Sequence, residues 1–104
     1  MIDNLKNFII NCLQEKKAKD VIFLDLENKT DLAKYMILAT GSSKKNVSAI
    51  AQYIIDELKS KLSMHSISEG LNNSAWVLID VGDIIVNVFN AEERVRIDLE
   101  SKWQ

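Results

Sequence analysis

Residues 76–83 (Trp-Val-Leu-Ile-Asp-Val-Gly-Asp) carry the side chains best suited to binding another molecule. Alternate side chains of a strand point to opposite faces, so a strand here places Trp76, Leu78 and Asp80 on one face. Tryptophan is enriched at protein-binding hot spots because it buries a large area at low entropic cost. Two interpretations stay open: Trp76 contacts a partner, or it packs under the second helix or the C-terminal helix of its own chain. The other face of the strand suits a buried core and carries Val77, Ile79 and Val81.

Metal and nucleophile chemistry has few candidates in this chain. Cys12 and His65 are its only cysteine and histidine, whereas a structural zinc site needs about four such ligands. Cys12 falls on the apolar stripe of a predicted helix and is interpreted as a core residue. His65 is interpreted as a surface or half-buried residue at a strand edge. The sequence has no serine in a G-x-S-x-G turn, no P-loop and no G-x-G-x-x-G motif. We therefore expect no catalytic residue, no metal site and no bound cofactor.

A nucleotidyltransferase-like enzyme is the best catalytic alternative. In such enzymes a strand ends in Gly-Ser, a helix follows, and two carboxylates on a later strand hold magnesium; Gly41-Ser42 matches the first half of this pattern. Two carboxylates that act together from one strand should be two residues apart, but Asp80 and Asp83 are three apart and flank a turn. Asp25 is a possible third ligand, although magnesium demands strict octahedral geometry. We interpret Gly41-Ser42 as a strand end and helix cap, and keep a divergent transferase as an alternative.

The hydrophobic periodicity of the sequence predicts helices and strands in the order α-β-β-α-β-β-β-α. Asp3 is predicted to cap the first helix, and Ser42 or Ser43 the second. The nearly continuous apolar run at 20–26 predicts a central strand covered on both faces. The predicted elements are a helix at 3–17, strands at 20–26 and 35–40, a turn at 27–32, a helix after 43, a short strand at 64–68, a loop at 69–74, strands at 75–81 and 84–89, and a final helix, or turn and helix, at 92–103.

The order of elements predicts an α/β (α+β) fold with a mixed sheet of about five strands flanked by helices. A crossover should join the strands at 35–40 and 64–68 through the second helix. Gly82-Asp83 between two apolar runs predicts an antiparallel hairpin. At 104 residues, the chain is expected to form a single domain over 1–104.

Composition narrows the classes of function. The formal net charge is −2, but residues 1–64 carry ten Lys and Arg against eight Asp and Glu, whereas residues 65–104 carry three against seven. An acidic second half argues against DNA binding and permits a basic partner. No apolar run approaches the roughly 20 residues of a membrane span, and residues 1–10 do not resemble a signal peptide. With a single cysteine, these features predict a cytoplasmic protein.

Several residue blocks, taken in order and spacing, resemble the ribosomal silencing factor family (RsfS, also called Iojap-like). The resemblance covers nearly the whole chain, and its specificity comes from the combination, since each block alone is weak. The blocks are Lys19-Asp20-Val21, Leu24-Asp25-Leu26, residues 35–43, residues 47–51, Glu69-Gly70, Trp76, residues 80–86, Arg94, Leu99-Glu100 and Trp103.

The resemblance implies a function. Family members bind the large ribosomal subunit through its fourteenth protein, block joining of the small subunit, and repress translation when nutrients run short. They resemble nucleotidyltransferase-type folds without an active site, and they often form homodimers. A generic dimerising adaptor remains a further alternative. By matched position, the implied partner-binding residues are Trp76, Asp80, Gly82, Asp83, Glu69 and Gly70.

The chain departs from the family pattern at a few positions. Asn87 stands where the family usually has histidine, and Ile97 where it has tyrosine. Lys45-Asn46 replaces the common Arg-His pair, and Lys34 replaces an acid. An asparagine keeps hydrogen-bonding capacity but has no titratable charge. The loss of the histidine therefore weakens the catalytic alternative further and implies a retuned contact if that position touches the partner.

Overall fold

The computed structural model describes residues 2–72 and 75–103, and within these ranges it contains five strands and four helices. Asn73 and Ser74, which belong to the predicted loop at 69–74, lie outside the described residues. Within the described ranges, no helix is both long and apolar enough to cross a membrane. The elements are α1 (Ile2–Glu15), β1 (Lys19–Asp25), β2 (Tyr35–Gly41), α2 (Lys44–Leu62), β3 (Ile67–Glu69), β4 (Trp76–Asp80), β5 (Ile84–Asn90), α3 (Ala91–Ile97) and α4 (Leu99–Trp103).

The five strands form one mixed sheet in the order β1-β2-β5-β4-β3. Strands β2 and β5 are parallel, whereas β1 with β2, β5 with β4, and β4 with β3 are antiparallel. Strand β3 is consequently parallel to β2, so the predicted crossover through α2 and the predicted antiparallel hairpin are both confirmed. The predicted fold, a mixed five-stranded sheet flanked by helices, is also confirmed. Its likeness to nucleotidyltransferases stays a prediction.

One side of the sheet, the helix-covered face, packs against α1 and α2. Helix α2 begins where the Ser43 side chain accepts the Asn46 amide at 3.0 Å, as its predicted cap requires. A Cβ added at Gly41 would lie 2.9 Å from Cγ2 of Val47, so glycine lets the helix start close to β2. The buried residues of this face include Ile9, Leu13, Ile37, Val47, Ile50, Ile54, Leu58, Val77, Ile79 and Val86.

The opposite side of the sheet is covered less evenly. Its buried cluster includes Leu24, Met36, Ile85 and Phe89, with Leu99 of α4 packed among them. Helices α3 and α4 are separate because Asp98 adopts φ 52° and ψ 52°, a left-handed conformation that ends α3. The predicted final segment at 92–103 is therefore two helices, of which the first begins at Ala91.

Some predicted boundaries and positions were wrong. Helix α1 covers Ile2–Glu15, so Asp3 lies within it and not at its cap. Strand β1 is an edge strand, not a central one. Its apolar run has another cause, because its side chains pack partly into the clusters on both faces, with Phe23 on one and Ile22 on the other. The short third strand is displaced to Ile67–Glu69, which places Glu69 in a strand and not in the predicted loop.

Candidate partner-binding face

Strands β3 and β4 carry a set of half-buried and exposed side chains on the side of the sheet opposite α1 and α2. The register pairs Glu69 with Leu78, and Ile67 with Asp80, and directly paired side chains point to the same face. Ile67 is 73% exposed, although isoleucine is usually buried. We name this surface the open face, and it consists of Ile67, Glu69, Trp76, Leu78 and Asp80.

Trp76 is half-buried at one end of the open face. Its ring stacks on Phe89 with centroids 6.1 Å apart and an interplanar angle of 29°. Its indole Nε1 donates a hydrogen bond of 2.9 Å to Oδ1 of Asn87. Trp76 does not pack beneath α2, which lies against the helix-covered face, but it does pack against the cluster that contains Leu99 of the C-terminal helix α4. The neighbouring strand residues Val77 and Ile79 are fully buried on the helix-covered face, so the predicted alternation is confirmed.

Asn87 lies beneath the open face with only 1% of its surface exposed. Its lateral neighbours in the sheet are Leu78 on β4 and Leu38 on β2. The bond from Trp76 determines which end of its amide is the oxygen. Within the described residues, the Nδ2 group of Asn87 has no hydrogen-bond acceptor. A buried donor without an acceptor costs about 1–3 kcal/mol, so an unused donor lies beneath the surface that carries Trp76.

The hairpin between β4 and β5 forms the other end of the site. Asp80 Oδ1 accepts the amide of Gly82 at 2.9 Å, so this carboxylate shapes the turn as well as the surface. Gly82 adopts φ +92°, which L side chains rarely tolerate, and no atom lies within 4 Å of the position of a Cβ. Glycine is therefore needed there for its backbone conformation and not for space. Asp83 is exposed, and its carbonyl accepts the amides of Lys34 and Tyr35.

An acidic groove of about 420 Å³ lies between this hairpin tip and the segment 27–34. Three carboxylates, those of Glu27, Asp31 and Asp83, line it together with Lys34. Tyr35 donates its hydroxyl to Glu27 at 3.2 Å at the adjacent strand end. A groove with this charge favours basic side chains over acidic ones. Within residues 2–72 and 75–103, no three His, Cys, Asp or Glu side chains are grouped as metal ligands.

The predicted binding residues thus separate into two groups. Trp76, Asp80 and Glu69 share the open face, whereas Gly82 and Asp83 lie at the hairpin tip. Gly70 directly follows the edge strand β3. Its φ of 88° is a left-handed conformation that favours glycine, so its role is to let the backbone turn there. By the strand rise, Trp76 and Asp80 are about 13 Å apart. The site is accordingly a strip along β4 with an acidic end, not a compact pocket.

Ile67 and Asn87 belong to this site, and neither was predicted as a site residue. A longer alternating hydrophobic pattern could have shown that Ile67 lies on the same face as Asp80. The strand of Ile67 is only three residues long, however, so the sequence shows no periodicity there. Asn87 interrupts an apolar strand, Ile-Ile-Val-Asn-Val-Phe, and this interruption was the available signal. A polar residue inside a buried strand requires a partner, and Trp76 provides one.

The residues of the catalytic alternative do not come together. Gly41 ends β2, whereas Asp83 precedes β5 at the opposite end of the sheet, beside the start of β2. Seven-residue strands separate the two ends by about 20 Å, so Gly41-Ser42 cannot share one magnesium ion with Asp80 and Asp83. Cys12 is 5% exposed, which confirms its interpretation as a core residue, and burial, then Glu57, raises the pKa of its thiol to about 11.

Sequence comparisons agree with the resemblance. Residues 2–104 match the family model described as "Ribosomal silencing factor during starvation". A Bacillus subtilis protein named ribosomal silencing factor RsfS is 37% identical over 86% of this chain and 75% of its own length. A Zymomonas mobilis protein of the same name is 35% identical over 95% of this chain and 74% of its own length.

Solved structures and a more distant relative extend the comparison. A crystal structure of a Chromobacterium violaceum protein superimposes with a TM-score of 0.94 at 36% identity, covering 99% of this chain and 86% of that one. A mouse protein named "Mitochondrial assembly of ribosomal large subunit protein 1" is 20% identical over 93% of this chain and 44% of its own length. The sequence and the fold therefore point to the same group of proteins.

Proposed function

Since the chain belongs to the ribosomal silencing factor family, we propose that it binds the large ribosomal subunit through that subunit's fourteenth protein, with the open face as the contact surface. The family and its relatives are named for ribosome silencing, which favours a ribosome-associated regulatory role over an enzymatic one. The mouse relative is named for assembly of the ribosomal large subunit, and this favours the large subunit as the partner.

The open face is the observation that carries this proposal. Monomeric proteins seldom leave a contiguous apolar surface without a use. Here Ile67, Leu78 and Trp76 lie together on adjacent paired strands. A half-buried tryptophan, braced by a ring on one side and an amide below, can provide contact area with little loss of conformational freedom on binding.

The acidic groove beside the open face specifies the character of the partner. Asp83, Asp31 and Glu27 present carboxylates at its edge, so the partner surface should be apolar at its centre and basic at its rim. Charges at a rim mainly steer the encounter, whereas the desolvated apolar centre holds the complex. This division of roles assigns the rate of association to the groove and the lifetime of the complex to Trp76.

Steric exclusion is the proposed mechanism. The molecule measures about 33 × 32 × 21 Å, and a standard interface needs about 800 Å² on each partner. A body of this size on the surface where the two subunits meet would occupy the volume that the small subunit requires, and this would repress translation under nutrient limitation. No bond is made or broken in this mechanism.

The proposal also covers the domain organisation, the location and the oligomeric state of the protein. We propose that residues 1–104 act as one domain in the cytoplasm, where the ribosomes they would silence are found. A homodimer is also proposed. Size-exclusion chromatography with light scattering should give twice the 11.8 kDa mass if the homodimer forms.

Co-sedimentation with purified large subunits, followed by addition of small subunits, tests the proposal. Ile67→Lys should weaken large-subunit binding by about tenfold or more and restore subunit joining. Val95→Lys is the matched control, because Val95 is 79% exposed and lies on α3 away from the open face. Val95→Lys should bind as the unaltered chain does.

The outcomes separate the alternatives. Failure of the unaltered chain to sediment with large subunits, together with a stable dimer that captures other proteins, would favour the dimerising adaptor. Magnesium-dependent turnover of a nucleotide that Asp80→Ala abolishes would favour the divergent transferase. Equal loss of binding in Ile67→Lys and Val95→Lys would show that the open face is not the contact surface.

A further inference from the structure

A cleft lies at the end of the sheet where the parallel strands β2 and β5 finish. The chain leaves β2 through Gly41 into α2, which packs on the helix-covered face. It leaves β5 through Asn90 into α3, whose Arg94 lies over the Phe89 ring on the opposite face. Two adjacent parallel strands whose chains depart to opposite faces open a crevice, which is where α/β proteins commonly bind ligands. The cleft here has a volume of about 550 Å³, which suits a small molecule.

Lysines outnumber acidic residues in the lining of this cleft by three to two. Lys16, Lys17 and Lys19 line it, against the carboxylates of Asp20 and Glu92. The ammonium of Lys16 lies 4.7 Å from the ring centroid of Tyr53, so Lys17 and Lys19 are the groups available to a ligand. Within the described part of the chain, neither forms an ion pair with a carboxylate.

Two more lysines directly precede Asn46, which lines the cleft. Lys44 and Lys45 occupy the first turn of α2, which contains no acidic residue. Positive charges are unfavourable at that end of a helix, because the helix dipole is itself positive there. The local repulsion is relieved if an anion sits in the adjoining cleft, which Ser42 and Asn46 also line.

A buried arginine holds the wall of the cleft in shape. Arg94 is 8% exposed, and its Nη1 donates to the carbonyl of Asp20 at 2.7 Å and to Oγ1 of Thr40 at 2.8 Å. Asp20 has φ 52° and lies in a β-bulge between Lys19 and Ile22. Bulges of this kind redirect side chains and are frequent next to binding sites. Lys19 is therefore held at the cleft by a rigid support.

Lys17 occupies a position where its side chain type is unfavourable. Its φ of 58° is left-handed, and its amide donates to the carbonyl of Gln14 as α1 ends. Glycine is the usual residue at this point of a helix because a Cβ is strained there. Lys17 is one of five non-glycine residues with a positive φ in the described part of the chain, and it lines the cleft together with Lys19.

We propose that this cleft binds a compact polyphosphate, either inorganic triphosphate or the phosphate chain of a nucleotide. Phosphate oxygens accept charge-assisted hydrogen bonds from ammonium groups, and Lys17 and Lys19 provide these donors. The described lining contains no aromatic side chain that could stack on a base, so the phosphates, and not the base, are recognised. This site lies at the opposite end of the sheet from the acidic groove and is independent of the proposed ribosome contact.

Calorimetric titration of the full chain with inorganic triphosphate tests the site. Lys19→Glu should weaken binding by about a hundredfold, since one attractive contact is lost and one repulsive contact is added. Lys59→Glu is the matched control, because Lys59 is exposed near the far end of α2, and it should leave the affinity unchanged. Equal loss in both variants, or no heat with the unaltered chain, would overturn the proposal.

Two further arms complete the test. Lys17→Gly should weaken triphosphate binding by about tenfold while leaving the thermal midpoint unchanged or higher, because glycine relieves the left-handed strain. A lowered midpoint with unchanged affinity would mean that Lys17 is only a structural residue. A single-stranded RNA of 12 nucleotides forms the last arm: RNA binding without triphosphate binding would overturn the proposal in favour of an RNA surface, whereas binding of ATP and triphosphate with similar affinity would support it.

Discussion

The two faces of the sheet differ in how completely they are covered. On the helix-covered face, α1 and α2 enclose a continuous apolar cluster in which residues such as Ile54, Leu58 and Ile79 are fully buried. On the other side, α4 covers the centre of the sheet, while β3 and β4 keep the open face with Trp76 half-buried and Ile67 largely exposed. One side of the sheet is thus closed by helices, and the other stays partly uncovered.

Because the two faces differ in coverage, substitutions at neighbouring residues of one strand should have different effects. Leu78 and Ile79 are adjacent in β4 and are both apolar, yet they point to opposite faces. If burial contributes to stability and exposure to binding, a change at each position should move a different measurement. The predictions below test this separation, beginning with the largest expected effect.

Ile79→Ala should lower the free energy of unfolding by about 2–5 kcal/mol, because it leaves a cavity in a fully buried cluster. Leu78→Ala should lower it by about 1 kcal/mol, since the side chain is only half-buried. Urea denaturation of both variants measures the difference. Equal losses of unfolding free energy would mean that the open face contributes as much to stability as the helix-covered face. That result would contradict the proposed difference between the two faces.

Trp76→Ala should weaken binding to the large subunit by about 2 kcal/mol or more, the scale of a central hot-spot residue. Trp76→Phe is the control: a ring remains to stack on Phe89, but the donor to Asn87 is lost. Its affinity should fall between those of the unaltered chain and Trp76→Ala in co-sedimentation. If Trp76→Ala unfolds the chain as readily as Ile79→Ala does, Trp76 belongs to the core and not to the contact surface.

The alternation of β4 shows what the sequence could predict. Three apolar residues at a spacing of two, Val77, Ile79 and Val81, identified the buried side because the strand period is a local property. The helices, the hairpin and the crossover were likewise predictable from local periodicity and turn chemistry. The half-buried state of Trp76 was not, because it depends on how far α4 extends over the sheet.

Other predictions were wrong or incomplete for a similar reason, because they depend on contacts between residues that are far apart in the sequence. The apolar run of β1 looked like a central strand, since an edge strand that is covered partly on both faces carries the same residues. Asp80 and Gly41 are both near strand ends, but only the strand order shows that those ends lie on opposite sides of the molecule. The break between α3 and α4 was not predicted, because the residue that adopts the left-handed conformation there is Asp98 and not a glycine.

Asn87→Ala should weaken large-subunit binding by about 1 kcal/mol, because the indole of Trp76 loses its acceptor and the ring is less firmly placed. Asn87→His restores the residue type that the family resemblance favours, and a neutral imidazole nitrogen can accept the same hydrogen bond. Its affinity should therefore remain close to that of the unaltered chain. Equal affinities for Asn87→Ala and the unaltered chain would show that the support beneath the open face is not needed.

Asp83→Lys should slow association with the large subunit and change its affinity by less than about 1 kcal/mol, as expected of a rim charge. Asp83 is preferable to Asp80 for this test because Asp80 also holds the turn. Asp56→Lys, on the solvent side of α2, is the control of equal charge change. Stopped-flow association at rising salt should reduce the difference between the two variants. A faster dissociation rate with an unchanged association rate in Asp83→Lys would place the charge outside its proposed role.

Cys12 provides a check on the closed side of the sheet that is independent of ribosome binding. It lies on α1 within the helix-covered cluster, and burial raises the pKa of its thiol to about 11 from an ordinary value of 9.0. At pH 8, only about one thiol in a thousand is therefore ionised, against one in ten at the unshifted value, and the thiolate is the reactive form. Labelling by a thiol reagent should be at least about a hundredfold slower than in urea-unfolded chain, and large-subunit binding should not change it. Rapid labelling of the folded chain would show that α1 opens readily and that the helix-covered face is less closed than its packing indicates.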